Sequence, residues 1–203
     1  MTSYQISLFF VDNTIYKIDK VSKELVEKIE LLKEPILIPQ EVNAPKEVNF
    51  PVIIFDKNQE MKLIANFHTM TITIKKKENT DILNLMDGVY DVLENNEIKV
   101  YRIGFVYNSS LEHAEIEKFK SQKILDADII NSKNFELSWL KDININNINV
   151  NCWQRYYTIE GNDILNTTFD INTKAEENYQ VNREFMKKFI IDAEKYVIDN
   201  IFS

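Results

Sequence analysis

The sequence predicts an α+β protein in which an antiparallel sheet packs on helices, the last of them long. Three observations lead there. Short runs of alternating apolar and polar residues recur along the chain, and stretches with helical spacing separate them. The order strand, helix, several strands, helix occurs twice.

The opening strand is Tyr4 to Val11, where Tyr4, Ile6, Leu8 and Phe10 alternate with Gln5, Ser7 and Phe9. A helix follows, capped by Asp19, with Val21, Leu25, Ile29 and Leu32 on one stripe. All 4 prolines, Pro35, Pro39, Pro45 and Pro51, punctuate the next segment and confine Ile36 to Ile38 to a short or edge strand. Pro51 to Phe55, Met61 to Phe67 and Thr69 to Ile74 read as successive strands, the first pair joined by the polar turn Asp56 to Gln59. Asn79 to Leu93 is a helix with Ile82, Leu85, Met86, Val89 and Leu93 as its apolar face.

The pattern then starts again. Lys99 to Tyr107 is a strand with Tyr101, Ile103, Phe105 and Tyr107 on one face, and Leu111 to Leu125 is a weaker helix. Phe135 to Leu140, Val150 to Ile159 and Ile164 to Ile171 are strands. In the closing helix Phe185, Met186, Phe189, Ile190, Ala193, Tyr196, Val197 and Ile201 recur at three- and four-residue steps. We expect one domain, 1–203, built of pseudo-repeated halves 1–96 and 97–203. In outline the layout is similar to helix-grip and TATA-box-binding-protein-like folds, in which a curved sheet wraps a long helix. Such a likeness concerns geometry and carries no function.

Composition narrows the function classes. The 203 residues are 44% hydrophobic with a formal net charge of −8, so a folded protein is expected and nucleic acid is not a natural partner, because affinity for a phosphate backbone needs lysines and arginines. The lysine run Lys75 to Lys77 reads as a solubilising strand end. The opening residues lack the basic start and apolar run of a signal peptide, and no apolar stretch approaches the ~20 residues that span a bilayer. A single Cys152 excludes an intramolecular disulfide. These features lead us to expect a cytoplasmic protein with no membrane contact. Heavy use of Asn, Ile and Lys is similar to the bias of AT-rich bacteria and their phages.

Recognisable catalytic apparatus is missing from the pattern. The 3 glycines stand far apart and form no phosphate loop or dinucleotide fingerprint. His68 and His113 have no partners at metal-site spacing. Cys152 shares a face with Val150 and Tyr156, which reads as buried and inert. Glu160, Asp163 and Asp170 can approach one another around a hairpin, the minimum for acid–base work, yet any acidic chain offers such sets. We therefore expect no catalytic residues, no metal and no cofactor.

The segment Arg102-Ile103-Gly104, followed by Tyr107-Asn108, resembles the Arg-Ile-Gly-x-x-Tyr-x-Asn strand of a sporadically distributed family of uncharacterised bacterial proteins. Phe169 to Thr173 followed by the terminal helix is similar to that family's ending. The sequence departs from the pattern at Val106, where arginine is usual, and in placing Asn108 directly after Tyr107. The resemblance implies a sheet strand, a long closing helix and a bacterial or phage origin, and it implies no activity. Gly104 within a strand points to a bulge or to a close approach of backbone or helix. Arg102, on the face opposite Tyr101, Ile103 and Phe105, reads as a structural ion pair, with anion binding as the alternative.

The stretch 151–161 concentrates rare residue types. A two-residue turn at Gly161-Asn162 pairs Glu160 with Asp163, and then Tyr157 faces Asn166, Arg155 faces Thr168 and Trp153 faces Asp170. One face collects Cys152, Tyr156, Thr158, Leu165, Thr167, Phe169 and Ile171, the expected core. The other collects Trp153, Arg155, Tyr157 and Ile159 with Ile164, Asn166, Thr168 and Asp170. Trp, Tyr and Arg are the residue types that dominate interface hot spots. Arg155 is expected to stack on its aromatic neighbours or to reach Asp170 diagonally.

The expected function is that of a non-catalytic protein that binds a protein partner through this face, as an accessory or inhibitor in host–phage conflict. Its binding residues are Trp153, Arg155, Tyr157, Asp170 and Arg102. The alternatives are a small-molecule binder or enzyme with a cavity between sheet and terminal helix, and a client-holding chaperone. Homo-oligomerisation through open sheet edges is compatible with each.

Overall fold

The computed structural model describes residues 2–11, 18–30, 32, 36–38, 52–57, 61–66, 68–75, 79–111, 119, 136–158, 164–175, 177 and 179–201, with backbone alone at 18, 19, 36–38, 52–57 and 79–81. The strands are β1 (Thr2–Phe10), β2 (Ile36–Ile38), β3 (Val52–Lys57), β4 (Met61–Ala65), β5 (Thr69–Lys75), β6 (Val100–Leu111), β7 (Glu136–Ile145), β8 (Ile148–Thr158) and β9 (Leu165–Thr173). Among the described residues the helices are α1 (Ile18–Lys28), α2 (Asn79–Asn95) and α3 (Arg183–Asn200). The fold is α+β, and every strand pairing is antiparallel.

The nine strands form one sheet in the order β2-β3-β4-β5-β1-β6-β9-β8-β7. The two strands that open the expected halves, β1 and β6, lie side by side at its centre. From each of them the later strands run outward in descending order, so the sheet has the same logic on both sides. Among the described residues the edge strands are β2, three residues long, and β7, ten residues long.

Period-two alternation sorts the sheet into two faces. Ile6, Leu8, Ile72, Ile74, Ile103, Phe105, Val150, Cys152, Tyr156, Phe169 and Ile171 are buried on one face together with Met186, Phe189, Ala193 and Val197 of α3 and Val21, Leu25, Met86 and Val89 of α1 and α2. The helices lie on this side. Asn182 caps α3, its side-chain oxygen accepting from the Phe185 N–H at 2.8 Å. Two buried hydroxyls fasten the helix to the sheet: Tyr4 donates to Glu194 Oε1 at 3.0 Å and Tyr156 donates to the Ile201 carbonyl at 3.1 Å.

Several elements depart from their sequence-based bounds. α1 begins at Ile18, so Asp19 lies within it, and Ile29 and Leu32 are buried just beyond its end. β6 continues to Leu111, because Ser109, Ser110 and Leu111 find partners on β9. β7 runs on to Ile145 and turns back through Asn146 and Asn147, both at positive φ (53° and 62°). That pair of left-handed residues makes a tight turn whose twist suits a hairpin. The alternation of Ile143, Ile145, Ile148 and Val150 around an Asn-Asn pair was its signal. The expected helix from Leu111 to Leu125 lies outside the described residues apart from Leu111, which ends β6, and Phe119, which is buried and stacks on Tyr156 at 4.6 Å. Gly161-Asn162, Glu160, Asp163, His113 and the lysines after Lys75 also lie outside them.

Candidate functional site

The face turned away from the helices carries the candidate site. β8 and β9 pair with Trp153 opposite Asp170, Arg155 opposite Thr168 and Tyr157 opposite Asn166. This is the register that a two-residue turn at Gly161-Asn162 requires. It buries Cys152, Tyr156, Leu165, Thr167, Phe169 and Ile171 and turns Trp153, Arg155 and Tyr157 outward. Burial pushes the Cys152 thiol up to about 11, so it stays protonated and unreactive at neutral pH.

On the far side of β8 stands a residue that sequence reasoning missed. Leu140 of β7 lies directly opposite Trp153, and the two are 60% and 52% exposed. They form an exposed apolar pair across two strands. The signal was present in Glu136, Ser138, Leu140 and Asp142, an otherwise polar outward set interrupted by one large leucine.

Arg155 finds its carboxylate on β7. Its guanidinium makes a two-pronged pair with Glu136, Nε to Oε1 at 2.8 Å and the terminal nitrogen to Oε2 at 3.0 Å, and lies over the Tyr157 ring at 4.6 Å. The expected stacking on an aromatic neighbour is therefore present, whereas the diagonal reach to Asp170 is not. Glu136 is the cross-strand partner of Tyr157 and stands in solvent, where a fork-shaped cation meets it without desolvating a second buried group.

Asp170, opposite Trp153 on β9, and Arg102, on β6, lie nearer the middle of the open face. Burial raises the Asp170 carboxyl above the ordinary carboxylate value, while a hydrogen bond from the Asn172 side chain and the charge of Arg102 draw it back. Asn172 can lie there because its cross-strand neighbour is Gly104: a Cβ at that glycine would overlap Asn172 Oδ1 and sit 3.3 Å from its Cγ. The close neighbour at Gly104 is thus a side chain and not the backbone or helix expected, and the register irregularity of β6 falls in its pairing with β1, between Phe9 and Phe10. Arg102 donates from Nε to the Thr173 carbonyl at 3.0 Å and lies over the Phe9 ring at 4.7 Å. Among the described residues no carboxylate comes within ion-pair distance of it, and its partners there are a carbonyl and a ring.

Further hydrogen bonds link side chains across this face. Thr168 donates to Asn108 at 2.9 Å, Ser110 to Asn166 at 2.9 Å, and Ser7 and Thr71 share a hydrogen bond at 3.2 Å. Of the five predicted residues, Trp153, Arg155 and Tyr157 share β8 with Leu140 beside them on β7, Asp170 stands opposite Trp153 on β9, and Arg102 lies on the next strand, β6.

A separate groove of about 980 Å3 runs between the end of α2, the start of β6 and the segment leading into α3, walled by Tyr90, Tyr101, Tyr179, Val100, Glu94 and Glu97. Among the described residues no group of three or more His, Cys, Asp or Glu is placed to hold a metal ion, and no helix is long and apolar enough to cross a membrane. These features define an α+β protein with an open antiparallel sheet. No family model matches the chain, and no curated protein matches it significantly.

Proposed function

We propose that this protein is a non-catalytic binding protein that docks a protein partner on the open sheet face around Trp153. The observation that carries this reading is the exposed Trp153–Leu140 pair beside a guanidinium already fixed over Tyr157. Side chains standing on a sheet are pre-ordered, so an incoming surface gains apolar burial at little cost in side-chain freedom. The net charge of −8 favours a partner with a basic rim around an apolar centre, and an accessory or inhibitor that occupies such a surface fits it.

The test compares capture of partners by the native chain and by Trp153→Ala/Leu140→Ala, with equal thermal stability established first. A partner retained by the native chain and lost from the double variant supports this surface. Equal retention by both removes it.

The groove beside Tyr90, Tyr101 and Tyr179 favours a second reading, a small-molecule site of aromatic and acidic lining. A thermal-shift screen of metabolites separates the two, since a ligand at one hundred times its Kd adds about 2.7 kcal/mol. A hit abolished by Tyr101→Ala would favour the groove.

A further inference from the structure

We infer that β7 is an assembly edge, and that a second copy of this chain pairs with it antiparallel about a two-fold axis at Leu140. β7 is ten residues long and lies at the end of the sheet, with β8 as its one strand neighbour among the described residues. A two-residue turn closes on a hydrogen-bonded pair, here Ile145 and Ile148. Alternation along an antiparallel ladder then points the N–H and C=O groups of Ile143, Lys141, Trp139 and Leu137 toward β8. Those of Ser138, Leu140, Asp142 and Asn144 point out of the sheet edge.

Long edge strands usually carry free charges that forbid such pairing. On β7 each charge is engaged within its own chain. Glu136 is held by Arg155, Asp142 by Lys174 at 2.9 Å, and Lys141 lies over the Tyr196 ring at 5.6 Å.

Self-pairing about Leu140 is also complementary in register. Leu140 meets Leu140 of the second copy, Ser138 meets Asp142, Glu136 meets Asn144, Trp139 meets Lys141 and Leu137 meets Ile143. No like charges oppose one another, and an aromatic ring faces a cation. Shifting the pairing by one residue on each strand, about Lys141, would set that lysine against itself. On the open face the central register makes one apolar row of Trp153, Leu140 and their copies, continuous across the axis. α3, the helix that reaches β7, also leaves Ile191 and Ile198 exposed one heptad apart.

The experiment measures the mass of the full chain across a concentration series by light scattering and sedimentation. The expected result is a dimer. Because Ser138 opposes Asp142 twice in the symmetric pair, Ser138→Asp should weaken dimerisation and Ser138→Lys should strengthen it, each by roughly two- to thirtyfold in Kd. Leu140→Pro, which removes an outward N–H and no bond to β8, should give a folded monomer by circular dichroism. A single-chain mass at every concentration overturns the inference, as does a dimer on which the two Ser138 substitutions act alike. Both Ser138 variants keep Trp153 and Leu140, so loss of the dimer with partner capture retained separates this inference from the docking surface.

Discussion

Gly104→Ala tests the centre of the open face. The added Cβ would overlap Asn172 Oδ1 and lie 3.3 Å from Cγ, while its other neighbour, Ser7 Cβ, stays at 3.8 Å. Only the Asn172 amide has to move, and moving it breaks the hydrogen bond to the desolvated Asp170 carboxylate. A hydrogen bond to a charged group contributes about 1.5–3 kcal/mol. Alanine recovers ~0.5–1 kcal/mol of the conformational freedom that glycine loses on folding. The balance is a destabilisation of about 0.5–2.5 kcal/mol, a drop of about 0.2–0.8 M in the urea midpoint at a slope near 3 kcal/mol per molar. In an Asn172→Ala background the obstructing atoms are gone, and the same substitution should stabilise by about 0.5–1 kcal/mol. Urea unfolding of the four proteins of this cycle measures both numbers. A Gly104→Ala effect of the same sign and size in both backgrounds would refute the claim that Asn172 is why this position is glycine.

Tyr4→Phe leaves the buried Glu194 carboxylate without its phenol donor and should cost about 1–3 kcal/mol in denaturant unfolding. Glu97→Gly relieves a left-handed residue (φ 57°) in the turn that follows α2, where the Ile98 N–H closes on the Leu93 carbonyl at 2.9 Å, and should stabilise by about 0.5–1 kcal/mol. Stability should fall in alkali. Cys152 holds its proton to about 11 when folded against 9.0 for an ordinary thiol, and burial raises the Tyr4 and Tyr156 phenols above 10.0. Their contribution is complete below pH 9 and is lost as pH rises above it, since the unfolded chain then releases protons the folded one keeps. Unfolding midpoints between pH 8 and 11 measure the fall, and tyrosinate absorbance at the unfolding step identifies the phenols.

Much of the candidate site was legible because it depends on local periodicity. Once a two-residue turn is set at Gly161-Asn162, every residue of β8 and β9 has a partner and a face, and Trp153 must part from Cys152. Leu140 was not legible in the same way. Its exposure depends on β7 running past residue 140 to an Asn-Asn turn, and on β7 lying beside β8 with no covering element among the described residues. Arg155 shows the same limit: Asp170 and Glu136 are both within diagonal reach of a β8 arginine, and only the placement of β7 brings Glu136 forward. Nothing in the local pattern of α3 marks Glu194, and a phenol 190 positions away makes it a buried acceptor.

What the amino-acid order determined by itself is therefore the set of elements with short-range causes: alternating strands, the apolar stripe of α3, the proline-limited β2 and the split of 151–158 into inward and outward residues. Each follows from backbone geometry repeating over two or 3.6 residues. Tertiary structure decided the rest: β1 against β6 at the centre of the sheet, Gly104 beneath Asn172, and β7 at an edge with its charges engaged. These turn on which distant surfaces bury best against one another, a comparison over the whole chain that no local window contains.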